Sequence, residues 1–167
     1  MKTSELMSVR EYLTTSFRPD REYVEGEILE RNVGEYDRAK LQRSILLYFH
    51  ARRKQWGTHV IPGQRVQVSP ARFRVPDVCV TLGAEPEEQV FTRPPFICIE
   101  ILSPEDRLAA MEERVADFLK MGVPYVWIVN PRTRKAWRCT AQGMLEEREL
   151  RTEDPAIVVP VDALFED

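Results

Sequence analysis

The sequence is poor in cysteine, has no long apolar run and carries no strong excess of either charge. Its three cysteines form no CxxC pair, which argues against a disulfide framework and favours a reducing, cytoplasmic setting. No segment approaches the roughly 18 apolar residues that a membrane-spanning helix needs, and the N-terminus lacks the apolar core of a signal peptide. The formal net charge of -3 is no global basic signature, so a polyanionic partner must meet a local patch.

What the sequence does contain is a succession of helix and strand patterns that is typical of one α/β domain. A chain of 167 residues is long enough for a single substantial core, and it shows no internal repeat. Periodicity predicts helices over 8–17, 36–56 and 104–121, a hairpin over 23–30, and strands over 59–68, 123–129, 135–140, 145–150 and 156–161. We therefore expect a mixed central β-sheet with flanking helices.

Two more strand-like segments, 74–80 and 95–102, lie at the centre of this prediction. Because side chains alternate between the faces of a strand, one face carries an unbroken apolar set. This set is Val78, Val80, Ile97, Ile99 and Ile101. If the segments pair antiparallel, one register places Cys79 opposite Cys98. We interpret both cysteines as small core residues; the alternative is a mixed zinc site of cysteine and carboxylate ligands.

The same register places an acid from each strand side by side. Asp77 falls opposite Glu100, and opposed Cβ atoms lie about 4.5–5.5 Å apart. Two facing carboxylates repel each other, whereas a hard divalent ion such as magnesium takes oxygen ligands and removes that cost. The pattern is therefore compatible with a metal site. The alternative is that both acids end their strands at the sheet rim and are solvated.

Basic residues lie on both long predicted helices. The later helix begins with a serine cap, Ser103, followed by proline at the first helical position. Its core stripe consists of Leu108, Met111, Val115 and Phe118. Arg107 and Arg114 flank this stripe, and either can reach back over the sheet rim or extend into solvent. The run 52–54 closes the earlier helix, where cations suit a helix C-terminus or contact a phosphate backbone.

Four motifs of the chain resemble the Uma-two family of putative restriction endonucleases, which belongs to the PD-(D/E)XK nuclease superfamily. They are Tyr23-Val24-Glu25-Gly26-Glu27, Pro76-Asp77, Ile99-Glu100-Ile101-Leu102-Ser103-Pro104 and Gly122-Val123-Pro124-Tyr125-Val126-Trp127-Ile128-Val129-Asn130-Pro131. The resemblance implies a restriction-endonuclease-like fold, with a four-stranded mixed core sheet and flanking helices in a single domain, 1–167. We assign an N-terminal helix to 1–20, the nuclease core to 21–140 and C-terminal strands to 141–167.

The resemblance also implies a Mg²⁺-dependent endonuclease that hydrolyses the phosphodiester bonds of DNA, with Mn²⁺ as a substitute cofactor. Asp77 and Glu100 would hold the metal, together with the backbone carbonyl of Ile101. Such an ion polarises a phosphoryl oxygen, generates a hydroxide-like nucleophile and offsets developing charge. Arg114 matches the position of the family lysine and is the third catalytic residue. Cutting both strands of a duplex needs two sites, which favours a homodimer.

Other residues of the expected site carry less specific signals. Glu25 in the hairpin is a candidate third acid, and Arg107 is a candidate phosphate ligand. The cations that we expect to contact a nucleic-acid backbone are Arg38, Arg52, Arg53 and Lys54.

The chain departs from the family pattern at several positions. Leu102 stands where the superfamily usually has a lysine, Arg38 where relatives often have a histidine, and Asn130 where they have an aspartate. Arg114 keeps a positive charge, but a guanidinium stays protonated in proteins, which excludes a general-base role. Two hypotheses therefore stay open: an active nuclease, or a catalytically decayed nuclease-fold protein that binds nucleic acid or a protein partner.

Overall fold

The computed structural model describes residues 5–31 and 35–166. The α-helices are α1 (Val9–Thr14), α2 (Tyr36–Ala51), α3 (Arg53–Trp56) and α4 (Leu108–Met121), and a 3-10 helix spans Val161–Phe165. The strands are β1 (Glu22–Val24), β2 (Glu27–Leu29), β3 (Thr58–Pro62), β4 (Val66–Ser69), β5 (Arg72–Arg74), β6 (Val78–Leu82), β7 (Ile97–Ile101), β8 (Tyr125–Asn130), β9 (Lys135–Thr140), β10 (Gly143–Glu147), β11 (Glu149–Thr152) and β12 (Ile157–Pro160). No helix within the described ranges combines the length and apolarity needed to cross a bilayer.

A six-stranded mixed sheet forms the centre of the molecule, in the order β10-β9-β8-β7-β6-β3. β7 and β8 run parallel and α4 connects them, whereas the other neighbouring strands pair antiparallel. The predicted mixed sheet is therefore confirmed, but it has six strands rather than the four that the resemblance implied. The strand predicted over 123–129 is β8 in the structure, and it is buried from Val126 to Val129. A strand covered on both faces is expected to read as a continuous apolar run.

The register of β6 against β7 is the predicted one. The paired residues are Val78 with Ile99, Cys79 with Cys98 and Val80 with Ile97. The valine and isoleucine face belongs to one core, which contains Leu41, Ile45 and Phe49 of α2. The cysteine face belongs to a second core, which contains Met111, Val115 and Phe118 of α4. Helices therefore cover both faces of the sheet, and the fold has three layers.

A second sheet has the strand order β2-β1-β5-β4. Its hairpin turns at Glu25–Gly26, as predicted, and β1 lies between β2 and β5. Tyr12 of α1 packs against Tyr23 and Phe73 to form the apolar cluster of this sheet. Together with the pairing of β1 and β5, this packing holds Glu22 of β1 close to the Val75 amide, in the segment that leads to β6.

Two of the predicted strands are each divided between two sheets. The segment 59–68 contributes to β3 of the six-stranded sheet and to β4 of the smaller one, with a turn at Gly63 between them. The segment 145–150 is likewise divided between β10 of the six-stranded sheet and β11, which forms a two-stranded sheet with β12. The alternation of residues along a strand shows which face of the sheet a side chain occupies, but not which strand lies beside it. The sequence pattern therefore does not predict the point where the chain passes from one sheet to the other.

The predicted start of the later long helix is wrong. α4 begins at Leu108, with Arg107 in the N-cap position. The preceding residues form a turn instead, closed by a hydrogen bond of 2.7 Å from the Ser103 amide to the Asp106 carboxylate. Leu108 is 69 % exposed and is not part of the core stripe. The helix ends at Gly122 as predicted, where a φ of +104° favours glycine.

Candidate active site

Asp77 and Glu100 converge where β6 begins and β7 ends. Asp77 directly precedes β6, and its Oδ2 accepts a hydrogen bond of 2.8 Å from the Ile101 amide. The two acids are 8 % and 0 % exposed. The alternative that they are solvated at the sheet rim is therefore wrong. The predicted antiparallel register explains why two acids that are distant in the sequence meet here.

A guanidinium group lies between the two carboxylates. Arg31 Nη2 is 3.2 Å from Asp77 Oδ1 and 3.2 Å from Glu100 Oε2. Its Nη1 donates a hydrogen bond to the Val75 carbonyl. No sequence signal pointed to Arg31, because it follows a charged hairpin and belongs to none of the four family motifs. The space between the paired acids is thus a position in which the protein already stabilises a cation.

Arg114 reaches the acids from α4, so of the two alternatives it contacts the sheet rim rather than solvent. Its apolar neighbours on the helix pack against the sheet, and the arginine itself is 8 % exposed. Arg114 Nη2 is 2.7 Å from Glu100 Oε1 and 3.1 Å from Glu22 Oε2. Its Nε is buried and has no hydrogen-bond partner among the described residues. Glu100 is therefore bound on one oxygen by Arg31 and on the other by Arg114.

The hairpin brings Glu22, rather than the predicted Glu25, to the acid pair. Glu25 lies in the turn, where its side chain is 71 % exposed and 4.0 Å from Arg72. Glu22 is 3 % exposed, accepts a hydrogen bond of 2.7 Å from the Val75 amide, and lies 3.4 Å from Arg74 Nη1. Both acids occur in a short hairpin that is rich in glutamate, so no local signal distinguishes the buried one.

Arg38 joins the same group from α2. It is 6 % exposed and forms an ion pair with Asp77. One helical turn later, Gln42 Nε2 donates a hydrogen bond of 2.8 Å to the Asp77 carbonyl. Arg107, in contrast, is exposed at the N-cap position of α4 and lies outside this buried group. A role of Arg38 or Arg107 in phosphate contact stays a prediction.

The predicted cationic run lies at the other end of α2. Arg52 interrupts the helix predicted over 36–56, and its guanidinium carbon is 3.6 Å from the centroid of the Tyr48 ring. Arg53 Nη1 donates a hydrogen bond of 2.8 Å to a carbonyl of the last turn, and Lys54 is exposed. These contacts fit cations that stabilise a helix C-terminus. Contact of this run with a nucleic-acid backbone stays a prediction.

Burial and charge pairing have opposite effects on the two acids. Burial raises the pKa of Glu100 to about 7, against the opposing effects of Arg114 and Arg31. Burial acts in the same direction on Asp77, but Arg31, Arg38 and Arg114 together hold the pKa of Asp77 below its ordinary value. One carboxyl therefore stays ionised while the other titrates near neutral pH. Such separation between neighbouring acids is typical of functional sites.

Four acids and four arginines form what we call the buried ion cluster. Its members are Glu22, Asp77, Glu100, Asp117, Arg31, Arg38, Arg74 and Arg114. Arg74 extends the cluster to α4, since its Nε is 2.8 Å from Asp117 Oδ2. With every member ionised, the formal charges balance.

The acid pair has the chemistry of a site for a hard divalent cation, because Mg²⁺ prefers carboxylate oxygens. A magnesium ion lies about 2.0–2.1 Å from its ligands, so an ion on the same two oxygens would take the space that Arg31 Nη2 fills. The residues therefore fit a metal if this guanidinium withdraws. Across residues 5–31 and 35–166, no three His, Cys, Asp or Glu side chains form a metal-binding group. The carbonyl of Ile101 as a further ligand stays a prediction.

A cavity of about 190 Å³ opens beside Asp77. Its charged and polar walls are formed by Asp20, Arg31, Glu35, Arg38, Gln42 and Asp77. Pockets for drug-sized ligands have volumes of about 300–1,000 Å³, so this cavity suits water, an ion or a single phosphate group rather than a whole nucleotide.

The fold and the paired acids together define the class of this protein as a restriction-endonuclease-like α/β protein. Its structure is similar to the crystal structure of a putative nuclease belonging to DUF820 from Anabaena variabilis, with a TM-score of 0.79 and 19 % sequence identity. The match covers 95 % of this chain and 97 % of that chain. The chain belongs to the Uma-two family, described as putative restriction endonucleases, whose model matches residues 10–164. No curated protein gives a significant match.

Proposed function

We propose that this protein is a Mg²⁺-dependent nuclease that hydrolyses phosphodiester bonds of DNA. The observation that carries the proposal is the convergence of Asp77 and Glu100 on one cation-stabilising position beside a small cavity. Membership of a family described as putative restriction endonucleases supports a nucleic acid as the substrate.

Bound between the two acids, a magnesium ion would polarise a phosphoryl oxygen and supply an activated water. The residues of the chain would orient the acids and stabilise negative charge. The Ile101 amide and the Gln42 side chain fix Asp77, so its carboxylate is oriented before any ion binds. Arg114 holds Glu100 through Nη2, and its Nε donor has no partner in the part of the chain that the structure describes. Because a guanidinium stays protonated, Arg114 stabilises negative charge but does not accept a proton.

The alternative is a catalytically decayed nuclease-fold protein that binds nucleic acid or a protein partner. Two observations favour it. The charges of the buried ion cluster balance without a metal, and Arg114 stands where relatives have a lysine. On this alternative, the cluster holds the fold together and the protein contacts its partner elsewhere.

Incubation of the purified protein with supercoiled plasmid and Mg²⁺ or Mn²⁺ tests the proposal. Nicking is expected to need the metal and to disappear in Asp77→Asn and in Glu100→Gln. Glu112→Gln, at an exposed acid of α4, is the matched control and should cut like the parent protein. Nicking that persists in Asp77→Asn comes from a contaminant and refutes the proposal.

Two other results would favour the alternative. One is cleavage that appears only in Arg114→Lys, since this change restores the family lysine. The other is DNA binding without cleavage, independent of metal and weakened by salt.

A further inference from the structure

We propose that Arg31 is a built-in competitor of the metal ion. Its guanidinium occupies the place between Asp77 and Glu100, and a divalent cation binds only after the guanidinium has moved out. The inference rests on the proposed function, because it concerns how that site takes up its ion.

The first argument is steric. Arg31 Nη2 lies at the same distance, 3.2 Å, from one oxygen of each acid. Its side chain is 7 % exposed, so the nitrogen is enclosed rather than loosely placed at a surface. A metal ion shared by the same two oxygens must lie between them as well. Guanidinium and metal are therefore mutually exclusive occupants of one position.

The second argument is charge. With Arg31 in place and Glu100 ionised, the formal charges of the buried ion cluster balance. A divalent ion added to this arrangement leaves two uncompensated positive charges in a buried region, which is costly. Departure of Arg31 halves that excess. Arg38 and Arg114 can stay, because Arg38 pairs with Asp77 and Arg114 binds the Glu100 oxygen that Arg31 does not contact.

The third argument is that the guanidinium has a place to go. Arg31 lines the cavity beside Asp77, and Glu35 lines the same cavity. A volume of about 190 Å³ holds several water molecules, each of which takes about 30 Å³ in the liquid, so it has room for the head group. Rotation of the side chain into this cavity breaks the hydrogen bond to the Val75 carbonyl and brings the charge towards the Glu35 carboxylate.

Mn²⁺ binding, measured by the decrease of the free-ion signal in electron paramagnetic resonance, tests the inference without reference to cleavage. Arg31→Met removes the competitor but keeps the length of the side chain. We expect this variant to bind Mn²⁺ with a dissociation constant about tenfold lower, or lower still, than that of the parent protein. Arg38→Met is the matched control, since it removes one positive charge that contacts the same oxygen of Asp77. If only charge matters, the two variants tighten binding equally, and the inference is overturned.

Two further outcomes separate this inference from the proposed function. If Arg31→Met binds Mn²⁺ like the parent protein while Asp77→Asn abolishes binding, the competitor role is wrong and the metal site stands. If no protein shows binding that depends on Asp77, both proposals fail.

A second measurement needs only the parent protein, in case Arg31→Met does not fold. The side-chain Nε–H signal of Arg31 can be followed by ¹⁵N nuclear magnetic resonance and assigned by its loss in Arg31→Lys. On addition of Mg²⁺, this signal should shift and exchange faster with solvent as the guanidinium leaves its buried position. An unchanged signal at Mg²⁺ saturation overturns the inference.

Discussion

Replacement of Glu22 by glutamine tests whether the buried ion cluster holds the hairpin to the rest of the fold. Glu22 accepts a hydrogen bond of 2.7 Å from the Val75 amide and lies 3.1 Å from Arg114 and 3.4 Å from Arg74. Glutamine has nearly the same shape and keeps an acceptor oxygen for the amide. The substitution therefore removes the charge with little change in volume, and leaves two buried guanidinium groups short of a partner.

Breaking a buried ion pair at one partner costs about 3–5 kcal/mol. Because the hydrogen bond to the Val75 amide can survive, we expect the lower end, a loss of about 3 kcal/mol in the free energy of unfolding. For a domain of this size, about 1 kcal/mol lowers Tm by about 2–4 °C, so Tm should fall by about 6–12 °C. Urea titration followed by tryptophan fluorescence measures the free energy, and the slope m should not change.

Glu27→Gln is the matched control, because Glu27 is an exposed acid of the same hairpin, and it should cost less than about 0.5 kcal/mol. A Glu22→Gln variant as stable as this control refutes the reasoning. Combination with Arg114→Met provides a second check. If the two changes add without coupling, Glu22 does not act through Arg114.

Three further predictions follow from burial and backbone geometry. Burial raises the pKa of the Cys79 and Cys139 thiols to about 12 and also raises that of Cys98. Ellman's reagent at pH 8 should therefore modify fewer than one thiol per native chain, but all three thiols after unfolding. The pKa of Glu100 is raised from about 4.5 to about 7 in the folded state. Glu100 therefore stabilises the fold fully below pH 4.5, and this stabilisation is lost as the pH rises through 7, at about 1.4 kcal/mol per pH unit. In urea titrations at pH 5 and pH 8, the parent protein should therefore lose more stability than Glu100→Gln; an equal loss contradicts the assignment. Gly122→Ala should lower the free energy of unfolding by about 1 kcal/mol, because φ is +104° there and the added methyl group makes only ordinary van der Waals contact. An unchanged Tm in thermal unfolding would contradict a left-handed helix end.

The central strand pair was predictable because several independent signals agreed. One register aligned two cysteines and two acids and also kept the valine and isoleucine faces apolar, and the structure has this register. Arg114 was found from the resemblance, because it matches the position of the family lysine. Its place beside the apolar stripe of the helix left contact over the sheet rim and exposure to solvent both open.

The rest of the site could not be predicted, because its members are brought together by distant packing. Arg31 and Glu22 lie in or beside a short charged hairpin in which each residue looks equally exposed. The start of α4 was misplaced because Ser103-Pro104 has the composition of a helix start, whereas the Ser103 hydroxyl donates a hydrogen bond of 3.2 Å to Glu35. Tertiary contact thus outweighs a local capping preference.

The buried ion cluster joins parts of the chain that are far apart in sequence. Arg31 and Glu100 are separated by 69 positions, and Glu22 and Val75 by 53. Contacts over such distances require the closure of large loops, which happens after local structure has formed. Substitutions in the cluster should therefore accelerate unfolding and change the folding rate little. The ion pairs govern how long the folded state persists rather than how quickly it is reached.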